Sequence, residues 1–168
     1  RITEVAADEG FIAVSPDGVP DPTSGVRTWN GGGCCGYAMI TNVDDVGFVR
    51  AVLEDLALRI AYDVTRVYAT GLSNGAMMSY RLAAELSERI AAVAPVAGSM
   101  VLLRFRAQRP VPVMHIHSVD DERALYNGGL GAPFPATDTR VLHPPVEQRL
   151  GEWARANGCA GTPVEAER

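Results

Sequence analysis

The chain has 168 residues, 47% of them hydrophobic, which is enough for one domain with a sizeable core. Fifteen basic and twenty acidic side chains leave a net charge of −5, and the basic residues are scattered, so the basic stripe that a nucleic-acid partner requires is excluded. No apolar run approaches the roughly 20 residues of a membrane helix, and three cysteines without a Cys-x-x-Cys or Cys/His cluster suggest no zinc site. No metal, organic cofactor or membrane partner is expected.

Phe11-Ile12-Ala13-Val14-Ser15 predicts a short apolar strand, ended by the turn signal Pro16-Asp17-Gly18. A glycine-rich, proline-containing loop follows over residues 19–36 and carries Trp29 with the adjacent Cys34 and Cys35. Loops of this length tend to be functional. The cysteine pair can close as a vicinal disulfide, bridge elsewhere or stay reduced; Trp29 can face a substrate cleft or cover the core. Asp44 or Asp45 then caps a helix whose apolar positions Val46, Val49, Leu53, Leu56 and Ile60 recur at near-helical spacing.

Arg66-Val67-Tyr68-Ala69-Thr70 favours an extended chain, and residues 76–86 contain neither Gly nor Pro and are rich in helix formers. Between them lies Gly71-Leu72-Ser73-Asn74-Gly75, a G-x-S-x-G pentapeptide in the order strand, tight turn, helix. In a nucleophile elbow of this kind the flanking glycines let the backbone turn sharply, the serine Oγ projects from the sheet edge, and the next N–H points at the developing oxyanion. Ser73 is therefore the candidate nucleophile, and Asn74 would supply the oxyanion N–H.

Residues 90–97 and 111–117 read as two further buried strands, and Val146–Ala156 as an amphipathic helix with Leu150 and Trp153 inward. Strands alternating with helices predict an α/β domain spanning residues 1–168, with about four strands in a mainly parallel sheet and helices on both faces. A serine nucleophile needs a histidine base and a carboxylate to orient it. The loop Ser118-Val119-Asp120-Asp121-Glu122, after a strand end, is the expected place for the acid. His115 and His117 alternate with apolar residues on that strand and read as structural. His143 follows the acid, as the order Ser, acid, His requires, and is the candidate base although it stands before Pro144-Pro145 at a helix start.

Three blocks, Val67 to Met78, Ile90 to Gly98 and Val111 to His117, together resemble the secreted esterases known as poly(3-hydroxybutyrate) depolymerases, relatives of feruloyl and acetylxylan esterases. Trp29-Asn30-Gly31-Gly32-Gly33-Cys34-Cys35-Gly36, Asn42 to Phe48 and Asn157-Gly158-Cys159 extend the resemblance over most of the chain. It implies an α/β-hydrolase fold, a Ser-Asp-His triad, an extracellular location, and hydrolysis of polyester or of feruloyl and acetyl esters through an acyl-enzyme.

Family members carry a His-Gly-Thr-x-Asp-Pro-like acid loop where this chain has His117 to Glu122, so the family aspartate falls on Asp121, with Asp120 as the neighbouring alternative. The family's His-Gly oxyanion loop and its catalytic histidine loop have no counterpart here, and the resemblance implies a domain lacking early strands and the histidine loop. Cys159 matches a family cysteine that bridges to a partner farther along. Two other readings use the same residues: a catalytically silent α/β domain, and a serine peptidase on the same fold.

Overall fold

A computed structural model describes residues 2–134 and 140–164. Its centre is a run of three parallel segments, two of them full strands. β3 (Tyr68–Leu72) and β4 (Ala92–Val96) pair in register from Tyr68↔Ala92 to Leu72↔Val96. Parallel pairing requires a crossover, and helix α4 (Asn74–Glu85) provides it, burying Ala76 to Tyr80 and Leu82 to Ala84. Segment 111–117 runs along the far edge of β4 through parallel bridges Val93↔Val113 and Val96↔Ile116, with Met114 N–H donating to Val93 O and Ile116 N–H to Pro95 O, both at 3.0 Å.

Period-two alternation sorts this sheet into two unlike faces. Val93 and Val113 turn toward a core that also contains Val46, Met78, Tyr80, Leu86, Ile90, Met100, Val111 and Trp153. Helices α3 (Asp45–Arg59), α4 and α5 (Val146–Ala156) all contribute to it. Trp153 locks α5 in place: its Nε1–H donates to Val111 O at 2.8 Å, and its ring stacks on Phe105 at 4.5 Å between centroids. The opposite face is open, with Tyr68 62%, Leu72 67%, Met114 62% and Ile116 49% exposed. The expected helices on both faces are thus found on one face among the described residues.

Two further corrections concern strands. Residues 11–15 are not a strand; Phe11, Ile12 and Val14 remain exposed, because no neighbouring strand offers them a ladder. The loop over 19–36 is partly ordered by a two-residue antiparallel pair, β1 (Val19–Pro20) with β2 (Arg27–Thr28), and ends in the short helix α2 (Gly36–Ile40). A third small sheet pairs β5 (Gly129–Leu130) with β6 (Leu142–His143), again antiparallel. The parallel character is therefore confined to the centre, and it is the part that supports the site. An N-terminal helix, α1 (Ile2–Glu9), buries only Ala6.

The helix boundaries follow local chemistry. Asp44 caps α3, its Oδ1 accepting the Gly47 N–H at 2.9 Å, whereas Asp45 turns inward. Arg59 in the last turn pairs with Asp55 one turn earlier. Asn157 closes α5 and reaches back to the third parallel segment, accepting from Val111 N at 3.1 Å and donating to Val111 O at 2.8 Å.

Candidate active site

Ser73 stands between the end of β3 and the start of α4 at φ 55°, ψ −114°, a conformation that a residue with a side chain rarely adopts. Holding it costs about 1–3 kcal/mol, which the surroundings must offset. Ser73 N–H donates to Val96 O at 2.9 Å on the neighbouring strand, and Ser73 O accepts from Met77 N–H at 3.1 Å in the helix. The residue is thereby fixed from both sides. Among the described residues nothing hydrogen-bonds to its Oγ.

The glycines around it are not equivalent. A Cβ on Gly71 would lie 2.5 Å from the carbonyl carbon of Gly75 and 2.6 Å from its oxygen, so strand and helix approach too closely for any side chain. Gly98, after β4, is equally confined, at 2.3 Å from Ser73 O. Gly75 faces open space and has no positive φ. The turn thus depends on Gly71 and Gly98, and the second glycine of the pentapeptide is not sterically required by it.

Asn74 is the first residue of α4, where N–H groups have no intrahelical acceptor. Its side chain is engaged elsewhere: Oδ1 accepts Trp29 N–H at 2.6 Å and Nδ2 donates to Trp29 O at 2.9 Å. Next to it, Asn30 N–H donates to Asp45 Oδ2 at 2.7 Å and Asn30 O accepts from Arg81 Nη1 at 2.7 Å. Burial pushes the Asp45 carboxyl above the usual range, opposed by the Asn30 N–H and the Arg81 charge. Trp29 is half-buried, stacks on Phe48 at 6.3 Å and packs against the core. Cys34 and Cys35 are bonded to each other and buried beside Met77 and Val101, while Cys159 is free and exposed.

At the third segment's carboxyl end, a hydrogen-bonded chain links α4 to the acid loop. Tyr80 Oη and His115 Nδ1 are 2.9 Å apart, His115 Nε2 and His117 Nδ1 3.0 Å, and His117 Nε2 and Ala124 O 2.7 Å. With both rings neutral, the final acceptor sets every proton in it. A carbonyl only accepts, so His117 carries its proton on Nε2 and leaves Nδ1 bare; His115 must then donate from Nε2, and Tyr80 donates to His115 Nδ1. Burial and the neighbouring His117 push His115 down to about 4, and burial pushes the Tyr80 hydroxyl up, so each keeps the neutral form that the chain needs. The two histidines do read as structural, and their shared face on one strand is the sequence signal for the pairing; Tyr80 as the donor had none.

Asp121 sits at the end of that chain. Its Oδ1 accepts N–H groups from Arg123 at 2.8 Å and Ala124 at 2.9 Å, and Oδ2 lies 3.5 Å from His117 Nε2. Asp120 is exposed. His143 on β6 is buried, and neither ring nitrogen has a hydrogen-bond partner among the described residues. Burial lowers its proton affinity, opposed by the Asp121 carboxylate and reinforced by His117. Asp121 and His143 thus share one electrostatic neighbourhood. No hydrogen bond joins either of them to Ser73 among the described residues.

Two surface clefts are lined by residues other than Ser73. One, of about 450 Å³, is at the amino ends of the strands between Thr65, Arg89 and Arg109. The other, of about 240 Å³, lies outside α4 between Asn42, Arg81 and Leu103. Among the described residues no His/Cys/Asp/Glu group of three or more could hold a metal ion, and no helix is long and apolar enough to cross a membrane.

Known proteins similar to this chain are named as esterases. Feruloyl esterase B of Piromyces equi is 30% identical over 170 residues, covering 98% of this chain and 30% of that protein. A bifunctional acetylxylan esterase/xylanase of Neocallimastix patriciarum is 32% identical over 122 residues, 73% of this chain and 16% of its own length. Feruloyl esterase C of Emericella nidulans is 30% identical over 90 residues, 54% of this chain and 33% of that protein. The chain therefore spans a third or less of each of these relatives. No protein-family model matches it.

Proposed function

We propose that this chain is the nucleophile-bearing part of a secreted serine esterase that cleaves carboxylic esters of plant polysaccharide, feruloyl or acetyl, through an acyl-enzyme. The observation that carries the reading is Ser73 at φ 55°, ψ −114° between a parallel strand and a helix. Similarity to feruloyl and acetylxylan esterases supports the polysaccharide ester over the polyester, the alternative substrate of the same chemistry.

In this mechanism Ser73 Oγ attacks the ester carbonyl and the Asn74 main-chain N–H receives the developing oxyanion. His143 takes the serine proton and returns it to the leaving alcohol, while Asp121 stabilises the imidazolium. His143 has to leave its buried setting to do this. That requirement favours a second reading, in which the chain alone is catalytically silent.

Hydrolysis of p-nitrophenyl acetate and methyl ferulate by this chain, beside Ser73→Ala, separates the two. Turnover that disappears with Ser73 is the expected result. No turnover above Ser73→Ala, and no labelling of Ser73 by a fluorophosphonate, would leave the silent reading standing.

A further inference from the structure

We propose that the Asn74 side chain is a positioning residue: by clamping the main chain of Trp29 it sets the direction of its own main-chain N–H at the elbow. The inference rests on the esterase reading for its catalytic consequence, and on hydrogen-bond geometry for the clamp itself.

An asparagine is a modest helix former, and at the start of a helix its side chain usually caps locally. Here it does neither. Both halves of the amide are used on a single peptide segment 45 positions earlier, at 2.6 Å and 2.9 Å, as a strand edge would be. The assignment of oxygen and nitrogen is dictated by the partners, since Trp29 N–H can only donate and Trp29 O can only accept. Shortening the side chain removes both bonds at once.

The clamp is one of a series. Asn74, Met77 and Arg81 are spaced i, i+3, i+7 and share one stripe of α4. Loop 29–35 lies along that stripe: Trp29 on Asn74, Asn30 O on Arg81 Nη1, and Cys35 Sγ against Met77 Sδ at 3.9 Å. Gly31 has no room for a side chain there, since a Cβ would stand 2.9 Å from Met77 Cβ and 2.7 Å from Cys34 O. Arg81 and Met77 fix the loop to the body of the helix, but only Asn74 fixes it to the residue whose N–H faces the oxyanion. The peptide between Ser73 and Asn74 is therefore held at its serine end by Val96 O and at its asparagine end by Trp29.

The test compares the parent, Asn74→Ala and Asn74→Asp by residue-resolved amide hydrogen exchange and by steady-state hydrolysis of p-nitrophenyl acetate. Asn74→Ala is expected to speed exchange at the Trp29 amide and in the first turn of α4, and to lower kcat by about 10- to 100-fold with KM within about twofold. Asn74→Asp keeps the acceptor for Trp29 N–H, so its Trp29 amide stays protected, and it replaces the bond to Trp29 O by a repulsive contact between two oxygens; it carries the exchange test if the alanine variant fails to fold, with the first turn of α4 expected to loosen. Unchanged exchange at Trp29 in a folded Asn74→Ala, or faster exchange with kcat unchanged, overturns the inference. If the parent has no turnover, the esterase reading falls by itself, and exchange at Trp29 and the first turn of α4 still decides the clamp.

Discussion

His115 Nε2 and His117 Nδ1 lie 3.0 Å apart, and with both rings neutral the bond runs from the His115 N–H to the bare His117 nitrogen. A proton added to His117 Nδ1 would face the His115 N–H, so the bond would have to reverse, with His115 moving its proton to Nδ1 and donating to Tyr80 Oη. The loop holding Asp121 is attached to α4 through these two imidazoles.

A pH dependence of stability follows. His115 titrates near 6.5 in the unfolded chain and near 4 when folded, so between those values the unfolded state binds more protons and stability rises with pH. The contribution is complete above about 6.5 and is lost as pH falls from there toward about 4. Burial acts on His143 in the same direction. Urea denaturation at pH 7.5 and pH 5 should show the parent losing about 1 kcal/mol more than His115→Gln, allowing for partial solvation of the ring. Equal losses in the two proteins would remove His115 as the cause.

The elbow glycines give a contrast within one pentapeptide. Gly71→Ala forces a methyl into the Gly75 backbone and should cost 3 kcal/mol or more, roughly the upper range for single substitutions. Gly75→Ala meets nothing within 4 Å and gains helix propensity, so it should leave stability unchanged or raise it by about 0.5–1 kcal/mol. Thermal melts of the two variants check the difference; similar losses would mean that Gly75 is confined as well.

That contrast shows where sequence reasoning stops. The pentapeptide, with a strand before it and a helix after it, marked Ser73 because local propensity and periodicity are written in adjacent residues. Helix α5 was legible over Val146–Ala156 for the same reason. The confinement of Gly71 comes from the Gly75 backbone within the pentapeptide, whereas that of Gly98 comes from Ser73 O, more than twenty residues away, which no local pattern announces. The Asn74 bond to Trp29 likewise depends on a loop that glycines make unpredictable. Residues 11–15 failed as a strand because an apolar run does not specify its partner. The sequence marks the loop after His117 as the place to expect an acid, whereas the inward turn of Asp121 required the Arg123 and Ala124 N–H groups to be folded around it.

His143 separates packing from catalysis. Its two buried nitrogens, without partners among the described residues, cost free energy that an apolar side chain would not, about 1–3 kcal/mol for each unsatisfied group. His143→Leu should therefore be at least as stable as the parent, by chemical denaturation. If His143 is the base, the same variant loses esterase activity by about 10³-fold or more. A stable variant with full activity would take His143 out of the mechanism while leaving Ser73 untouched.

The strain at Ser73 predicts the same association of unimpaired stability with lost activity. Glycine adopts positive φ without the steric cost that a Cβ imposes, and the Ser73 backbone is held at φ 55° by the Val96 and Met77 bonds whatever its side chain. Ser73→Gly should consequently stabilise the chain by about 1 kcal/mol. Ser73→Ala keeps the Cβ and with it the strain, so its melting temperature should match the parent's. Both abolish hydrolysis if Ser73 is the nucleophile, which makes the pair a measure of strain free of any catalytic effect. A Ser73→Gly variant no more stable than Ser73→Ala would show that the turn is relaxed in solution, and the observation on which the esterase reading stands would be lost.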